Sequence, residues 1–105
     1  MANIQRCIEK KKVNPLIKIM KKSKNKAERI AAIRALGTIK NVAGFSELVF
    51  FLNDPDTEIR RAVAQALGEL GDGHAKAHLD FAMGKEENAE TREAMHQAMI
   101  SIKDY

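Results

Sequence analysis

Seven side chains could give this chain covalent, acid-base or metal chemistry: His74, His78 and His96, the single Cys7, and Ser23, Ser46 and Ser101. His74 and His78 are four residues apart, which places both on one side of a helix, and a third histidine could complete a zinc site. An i, i+4 pair without an adjacent thiolate is a weak signal, however, and His74 falls where a helix would begin, where a solvated side chain serves equally well. Arg6 and Lys10 flank Cys7 and could lower its thiol pKa, but no histidine is near it in sequence. A small buried apolar role fits Cys7 better. None of the serines sits in a nucleophile elbow, and neither a P-loop nor a dinucleotide fingerprint is present. The glycines read as markers of helix ends. No catalytic residue, metal ligand or cofactor is therefore assigned, and the chain is read as not an enzyme.

Cations are far more numerous. Residues 1–40 hold 12 Lys/Arg against Glu9 and Glu28, whereas residues 41–105 hold 6 Lys/Arg against 12 Asp/Glu. A basic half beside an acidic half can steer an anionic partner to one end or draw copies together head to tail, and salt weakens both effects. Lys18, Lys21, Lys22, Lys24 and Lys26 are the densest source of phosphate contacts, so nucleic-acid binding through the basic half is one functional expectation. The phenylalanines and Tyr105 do not interleave with these lysines in sequence, which leaves base stacking poorly served.

The elements that position these groups follow from composition and periodicity. The chain has 105 residues, of which 45% are hydrophobic and 5% aromatic, with six Gly and two Pro. This balance favours an all-α fold in one domain, 1–105, too small to enclose a deep substrate cavity. One cysteine allows no internal disulfide, and no leader-like or membrane-spanning segment stands out, so a cytoplasmic setting with no membrane partner is expected.

An internal repeat organises the chain. Ala35-Leu36-Gly37 recurs 31 positions later as Ala66-Leu67-Gly68, and the same shift carries Asn25 to Asp56 and Arg29 to Arg60. A shift of 32 then carries Asp56 to Asn88, Arg60 to Arg92, Ala66 to Ala98 and Leu70 to Ile102. Ile59, Ala62, Val63, Ala66, Leu67 and Leu70 form one face of an amphipathic helix, with Asp56 as its N-cap and Gly71 as its left-handed terminus. A shorter apolar segment precedes each such helix, at Pro15–Met20, Phe45–Leu52 and His74–Met83. The unit is a helical hairpin, repeated over about 13–40, 41–72 and 73–103, with Ile4–Lys12 as an N-terminal capping helix.

These residues resemble the HEAT-repeat family, in particular its short repeats of phycobilisome-lyase type. The resemblance runs over about residues 13–103 and is strongest in Leu36-Gly37, Asn53-Asp54-Pro55-Asp56, Glu58, Arg60-Arg61 and Ala66-Leu67-Gly68-Glu69-Leu70-Gly71-Asp72. It implies a short right-handed α-solenoid whose second helices line a concave binding surface. Some HEAT-like enzymes hold a di-iron centre through repeated His-Glu dipeptides, which this sequence lacks. The third unit departs from the pattern: Lys76, His78 and Asp80 replace apolar or small residues, and Lys85-Glu86-Glu87 replaces the Asp-Pro turn. It reads as an end cap, with partner contact as the alternative.

Two surfaces are expected to bind. Positions off the apolar face of the second helices align as Ile30, Arg61 and Glu93; as Ile33, Ala64 and His96; and as Arg34, Gln65 and Gln97, a row graded from basic to acidic. On the first helices, Phe50 and Phe81 align with Lys18. If exposed, the two rings form a patch for a partner or for self-association, whereas helix rotation would bury them. Arg29, Arg60 and Arg92 form a further aligned row, read as an interhairpin polar ladder. The leading functional expectation is a non-catalytic protein-interaction scaffold that takes a protein or peptide on its second-helix surface. Nucleic-acid binding or an accessory role to an enzyme is the alternative.

Overall fold

The computed structural model describes residues 3–103. Met1, Ala2, Asp104 and Tyr105, at the ends of the expected 1–105 unit, lie outside the described residues. Seven α-helices account for nearly all the regular structure described, and no strand occurs among the described residues. They are α1 (Ile4–Glu9), α2 (Asn14–Lys22), α3 (Lys26–Ile39), α4 (Val42–Phe50), α5 (Thr57–Leu70), α6 (Ala75–Lys85) and α7 (Ala89–Ser101), with a 3-10 turn, Phe51–Asn53, after α4. Pairs α2–α3, α4–α5 and α6–α7 are the three hairpins of an all-α, HEAT-like solenoid. α1 packs on α3 and α2, burying Cys7 at the end of the stack.

The long helices start where a side chain can satisfy the free amides of the first turn. Asn25 accepts from the Glu28 N–H, Asp56 from those of Glu58 and Ile59, and Asn88 from that of Thr91. Each such cap contributes about 1 kcal/mol. Gly71 ends α5 at φ 79°, and Lys40 takes the same left-handed conformation after α3, at φ 60°. The non-glycine residue there costs roughly 1–2 kcal/mol.

Spacing between the hairpins is set by small residues inside the second helices. A Cβ on Gly37 would lie 2.9 Å from the Ala66 carbonyl oxygen, and one on Gly68 would lie 3.0 Å from the Ala98 Cα. α3 therefore packs directly on α5, and α5 on α7, almost backbone to backbone. This corrects the reading of the glycines as helix ends. Of the repeated Ala-Leu-Gly triplets, each glycine receives the alanine of the next hairpin, and only Gly71 closes a helix. The first helices stay further apart and meet through side chains, such as the Lys21–Glu47 ion pair and the Phe45–His78 edge contact at 6.4 Å between centroids. Close second helices and splayed first helices curve the stack, with the second helices on its inner side. Leu16, Met20, Leu36, Leu48, Ile59, Leu67, Leu79, Met95 and Ile102 fill the space between. The stack forms a slab of 36 × 32 × 17 Å.

The aligned arginines form the expected ladder. Arg29 donates to the Met20 carbonyl at 2.8 Å and to Asp54 at 3.2 Å; Arg60 donates to the Asp54 carbonyl at 2.8 Å and to both oxygens of Glu86 at 2.7 and 3.0 Å. Each guanidinium thus ties the turn of its own hairpin to an acid of the next. Arg92 repeats the first half of this pattern by donating to the Glu86 and Glu87 carbonyls. Glu86 also accepts from the Asn88 amide, as Asp54 does from that of Asp56 and Ser23 from that of Asn25. The third hairpin therefore keeps the turn geometry with a longer acid in place of the Asp-Pro pair. Its polar residues His78 and Asp80 face water, while Ala75, Leu79 and Ala82 face the core.

Two predictions follow from these contacts. Gly37→Ala should destabilise the fold by about 1–3 kcal/mol, because overpacking against the Ala66 backbone outweighs the gain in helix propensity. Gly84→Ala, where a Cβ meets nothing within 4 Å, should stabilise it by about 0.5–1 kcal/mol, both read by urea denaturation. Opposite signs are required; two stabilising outcomes would refute the close packing. Separately, the Arg60 guanidinium holds the Glu86 carboxyl below its ordinary 4.5, despite its burial. A depressed carboxylate pKa adds stability that is full above the ordinary value and is lost as pH falls through the folded value. Glu86→Gln should cost about 2 kcal/mol at neutral pH, with the deficit shrinking towards zero in acid. A deficit independent of pH would contradict the assignment.

Candidate nucleic-acid interface

The chemistry-bearing groups do not converge on a catalytic or metal site. His74 stands at the head of α6 with Nδ1 2.8 Å from Asp72, His78 touches the edge of Phe45, and the His96 Nδ1 lies 4.0 Å from Glu93 on α7. No cluster of three His, Cys, Asp or Glu side chains suited to a metal occurs among the described residues. Cys7 is buried in α1.

The second-helix rows separate. Arg34, Gln65, His96, Gln97 and Glu93 are exposed, and Ile30 and Arg61 are half-buried. Ile33 is 0% exposed, as is Ala64, so the middle row is core in the first two hairpins and not a binding surface. The reason is packing that one helix's periodicity does not reveal: α1 lies against α3, so Ile33 joins the same core as Cys7, and Ala64 lies on the central second helix, packed on both sides. What remains between α5 and α7 is an open groove of about 650 Å³ in which Glu69, Glu90 and Glu93 face a single cation, Arg61. Arg61 is itself committed, with Nη1 3.4 Å from Glu90 and Nε donating to Thr91 at 3.4 Å. Gln97 donates to Glu93 at 2.7 Å. This inner surface suits an anionic ligand poorly.

The lysines also divide. Lys21 pairs with Glu47 at 3.1 Å, and Lys26 with Glu58 at 2.9 Å and Asp56 at 3.2 Å. The bonds to Glu58 and then Asp56 hold the Lys26 ammonium above its ordinary 10.5. Both lysines join the first hairpin to the second, so a part of the charge asymmetry along the chain is consumed by stacking. Lys18, Lys22 and Lys24 pair with no carboxylate among the described residues, and they point into water. Lys18 and Lys22 lie one turn apart on α2 and line an open hollow of about 650 Å³ with Asn14, Pro15, Ile19 and Glu28. Lys11, Lys12 and Asn14 line a second, of about 350 Å³, on the other side of Pro15. Unpaired cations are therefore concentrated on α2 and the two loops that flank it.

Phe50 and Phe81 are 71% and 68% exposed, so helix rotation does not bury them. The Phe50 ring stands edge-on to Phe51 at 5.5 Å, and the Lys85 ammonium lies 4.7 Å above the centre of the Phe81 ring. Arg29 is 5.9 Å from the Phe51 ring centre. One cation–ring contact, Arg29 with Phe51, crosses from the first hairpin to the second, and the other, Lys85 with Phe81, lies one turn apart on α6.

Comparison with known proteins follows the same lines. Among solved structures, an epoxyqueuosine reductase with a tRNA-Tyr epoxyqueuosine-modified tRNA stem loop matches 73% of this chain at 28% identity and a TM-score of 0.69. A selenomethionine-labelled epoxyqueuosine reductase and the enzyme from Bacillus subtilis each match 87% at 26% identity, with TM-scores of 0.73 and 0.74. The chain spans only 21% to 28% of the length of these enzymes. A search of curated proteins returns no match. These likenesses, to an enzyme and in one case to a nucleic-acid complex, overturn the expectation of a non-catalytic protein-interaction scaffold. Among the described residues, no helix is long and apolar enough to cross a membrane. The model of HEAT repeats matches residues 13–100, the same stretch that forms the three stacked hairpins, and the chain belongs to the HEAT-repeat family.

Proposed function

We propose that this chain is an RNA-binding unit that engages phosphates through the unpaired lysines of its first hairpin and serves an enzyme acting on the same RNA. The observation that carries the reading is the separation of paired from unpaired cations. Lys21 and Lys26 are held by acids of the second hairpin, whereas Lys18, Lys22 and Lys24 remain free on one hairpin. Support comes from the epoxyqueuosine reductase likeness, which covers about a quarter of that enzyme and includes a structure with a tRNA stem loop. Phosphate contacts release counterions, so affinity depends steeply on salt and weakly on base sequence. The chemistry of the RNA reaction belongs, on this reading, to the enzyme and not to the hairpin stack.

Fluorescence anisotropy with a labelled RNA stem loop over a series of salt concentrations tests it. Binding should weaken with a log–log slope of about 0.7–0.9 per phosphate contact. Replacing Lys18, Lys22 and Lys24 together with Glu should reduce that slope by about 2–3 and nearly abolish binding at physiological salt. Lys21 and Lys26 are left intact because their loss would loosen the stack itself. Absence of binding by the unaltered chain at low salt, or an unchanged slope in the triple variant, would end this reading.

A further inference from the structure

We propose that Lys11 and Lys40 form a second phosphate-binding point of the RNA surface, where the α1–α2 and α3–α4 loops meet, and that both are kept as lysines at a cost to the fold. The inference rests on the RNA-binding reading and adds to it the path that the RNA backbone takes beyond Lys18 and Lys22.

Among the described residues, two that are not glycine have a positive φ, and both are lysines: Lys11 at 55° and Lys40 at 60°. Each follows the last turn of a helix, where the chain reverses through the left-handed conformation. After α1 two backbone bonds close the reversal, from the Lys12 N–H to the Cys7 carbonyl at 2.8 Å and from the Lys11 N–H to the Ile8 carbonyl at 3.1 Å. Such a terminus favours glycine, because a Cβ there crowds the neighbouring carbonyl oxygen. α5 ends in this way, on Gly71. Lysine has no conformational reason to stand at either position. Nor does a contact offset the strain: both side chains are exposed, and neither has a hydrogen-bond or ion-pair partner among the described residues.

The fold brings the two reversals together. The hollow of about 350 Å³ beside Pro15 is lined by Lys11, Lys12 and Asn14 from one loop and by Asn41 and Ala43 from the other, and Lys40 directly precedes Asn41. No carboxylate lines it. Glu9, the acid closest to Lys11 in sequence, accepts from Gln5 on α1 at 3.5 Å. Asn41 uses its side-chain oxygen on the Ala43 amide at 2.8 Å, which leaves its NH2 donors for a ligand. Asn14 and Pro15 also line the larger hollow that holds Lys18 and Lys22, where Glu28 is the one carboxylate. The two hollows are thus continuous over Pro15, with lysines on both sides of it.

The chemistry of the strip selects its occupant. The smaller hollow has no aromatic wall on which a base could stack, whereas ammonium and amide donors suit phosphate oxygens. A single small anion would occupy one hollow. A chain of phosphates reaches across both, and the RNA backbone is such a chain.

The test measures stability and RNA binding on the same variants, with the labelled stem loop of the salt series. Lys11→Gly/Lys40→Gly relieves the backbone and removes both charges. It should raise the melting temperature by about 4–8 °C, while lowering affinity about tenfold or more and the salt slope by about 1.4–1.8, the share of two phosphate contacts. Lys11→Gln/Lys40→Gln should reproduce the loss of binding without the gain in stability, and Lys11→Arg/Lys40→Arg should bind as the unaltered chain does. Lys103→Gln, at an exposed lysine past the end of α7, should leave the slope unchanged. A glycine pair that binds with an unaltered slope would overturn the proposal and leave the reading based on Lys18, Lys22 and Lys24 standing. So would a loss at Lys103 equal to that per charge at Lys11 and Lys40, the mark of diffuse attraction. A glycine pair no more stable than the unaltered chain would overturn the claim that the fold is strained for the sake of these lysines. Failure of the unaltered chain to bind the stem loop at low salt would overturn both readings.

Discussion

The stack depends on the approach of the second helices to near backbone contact, at Gly37 against Ala66 and at Gly68 against Ala98. No side chain larger than a methyl group can enter that seam. Everything else adapts to it: the bulky Leu, Ile and Met residues are displaced to the space between first and second helices, the first helices are held apart, and the row curves. Glycine inside a helix costs roughly 0.5–1 kcal/mol relative to alanine. Two such residues at matching positions make sense only where the packing they permit is worth more than the propensity they lose. The closeness also explains why Ala64, off the apolar face of its own helix, is lost to the core.

Much of the fold was legible in the residue pattern because the repeat restates the same local signals. Asn25, Asp56 and Asn88 cap their helices as their spacing indicates, and Gly71 closes α5 in the left-handed conformation. The arginine ladder was visible as an aligned row. What escaped sequence reading depends on contacts between units. The pairing of Lys26 with Asp56 and Glu58 bridges a separation of 30–32 residues, which no local pattern reports. Glu86 was hidden because the third turn uses Glu where the second uses Asp, yet both receive the preceding hairpin's arginine. Ile33 was misplaced because helical periodicity describes one helix and cannot show that α1 lies across it.

The candidate binding surface was half legible. Its residue types were apparent, since lysines near the start of the chain and phenylalanines in the middle are plain to read. Their division of labour was not. Tertiary structure withdraws Lys21 and Lys26 into structural ion pairs and leaves Lys18, Lys22 and Lys24 to solvent. It also gives the two sides of the slab different electrostatic characters, lysine-rich on the outer side and glutamate-rich in the inner groove of the last two hairpins. A net charge for the whole chain averages over that difference.

The first two hairpins are joined at opposite ends of their long helices by forces of different kinds. Near the helix starts, the junction is ionic: Lys26 with Asp56 and Glu58, and Arg29 with Asp54. Near the helix ends it is steric, Gly37 seated on Ala66. Salt and acid weaken the ionic end and leave the seated end untouched. The junction thus pairs a salt-sensitive edge with a salt-insensitive one, and the two edges answer to different solution conditions.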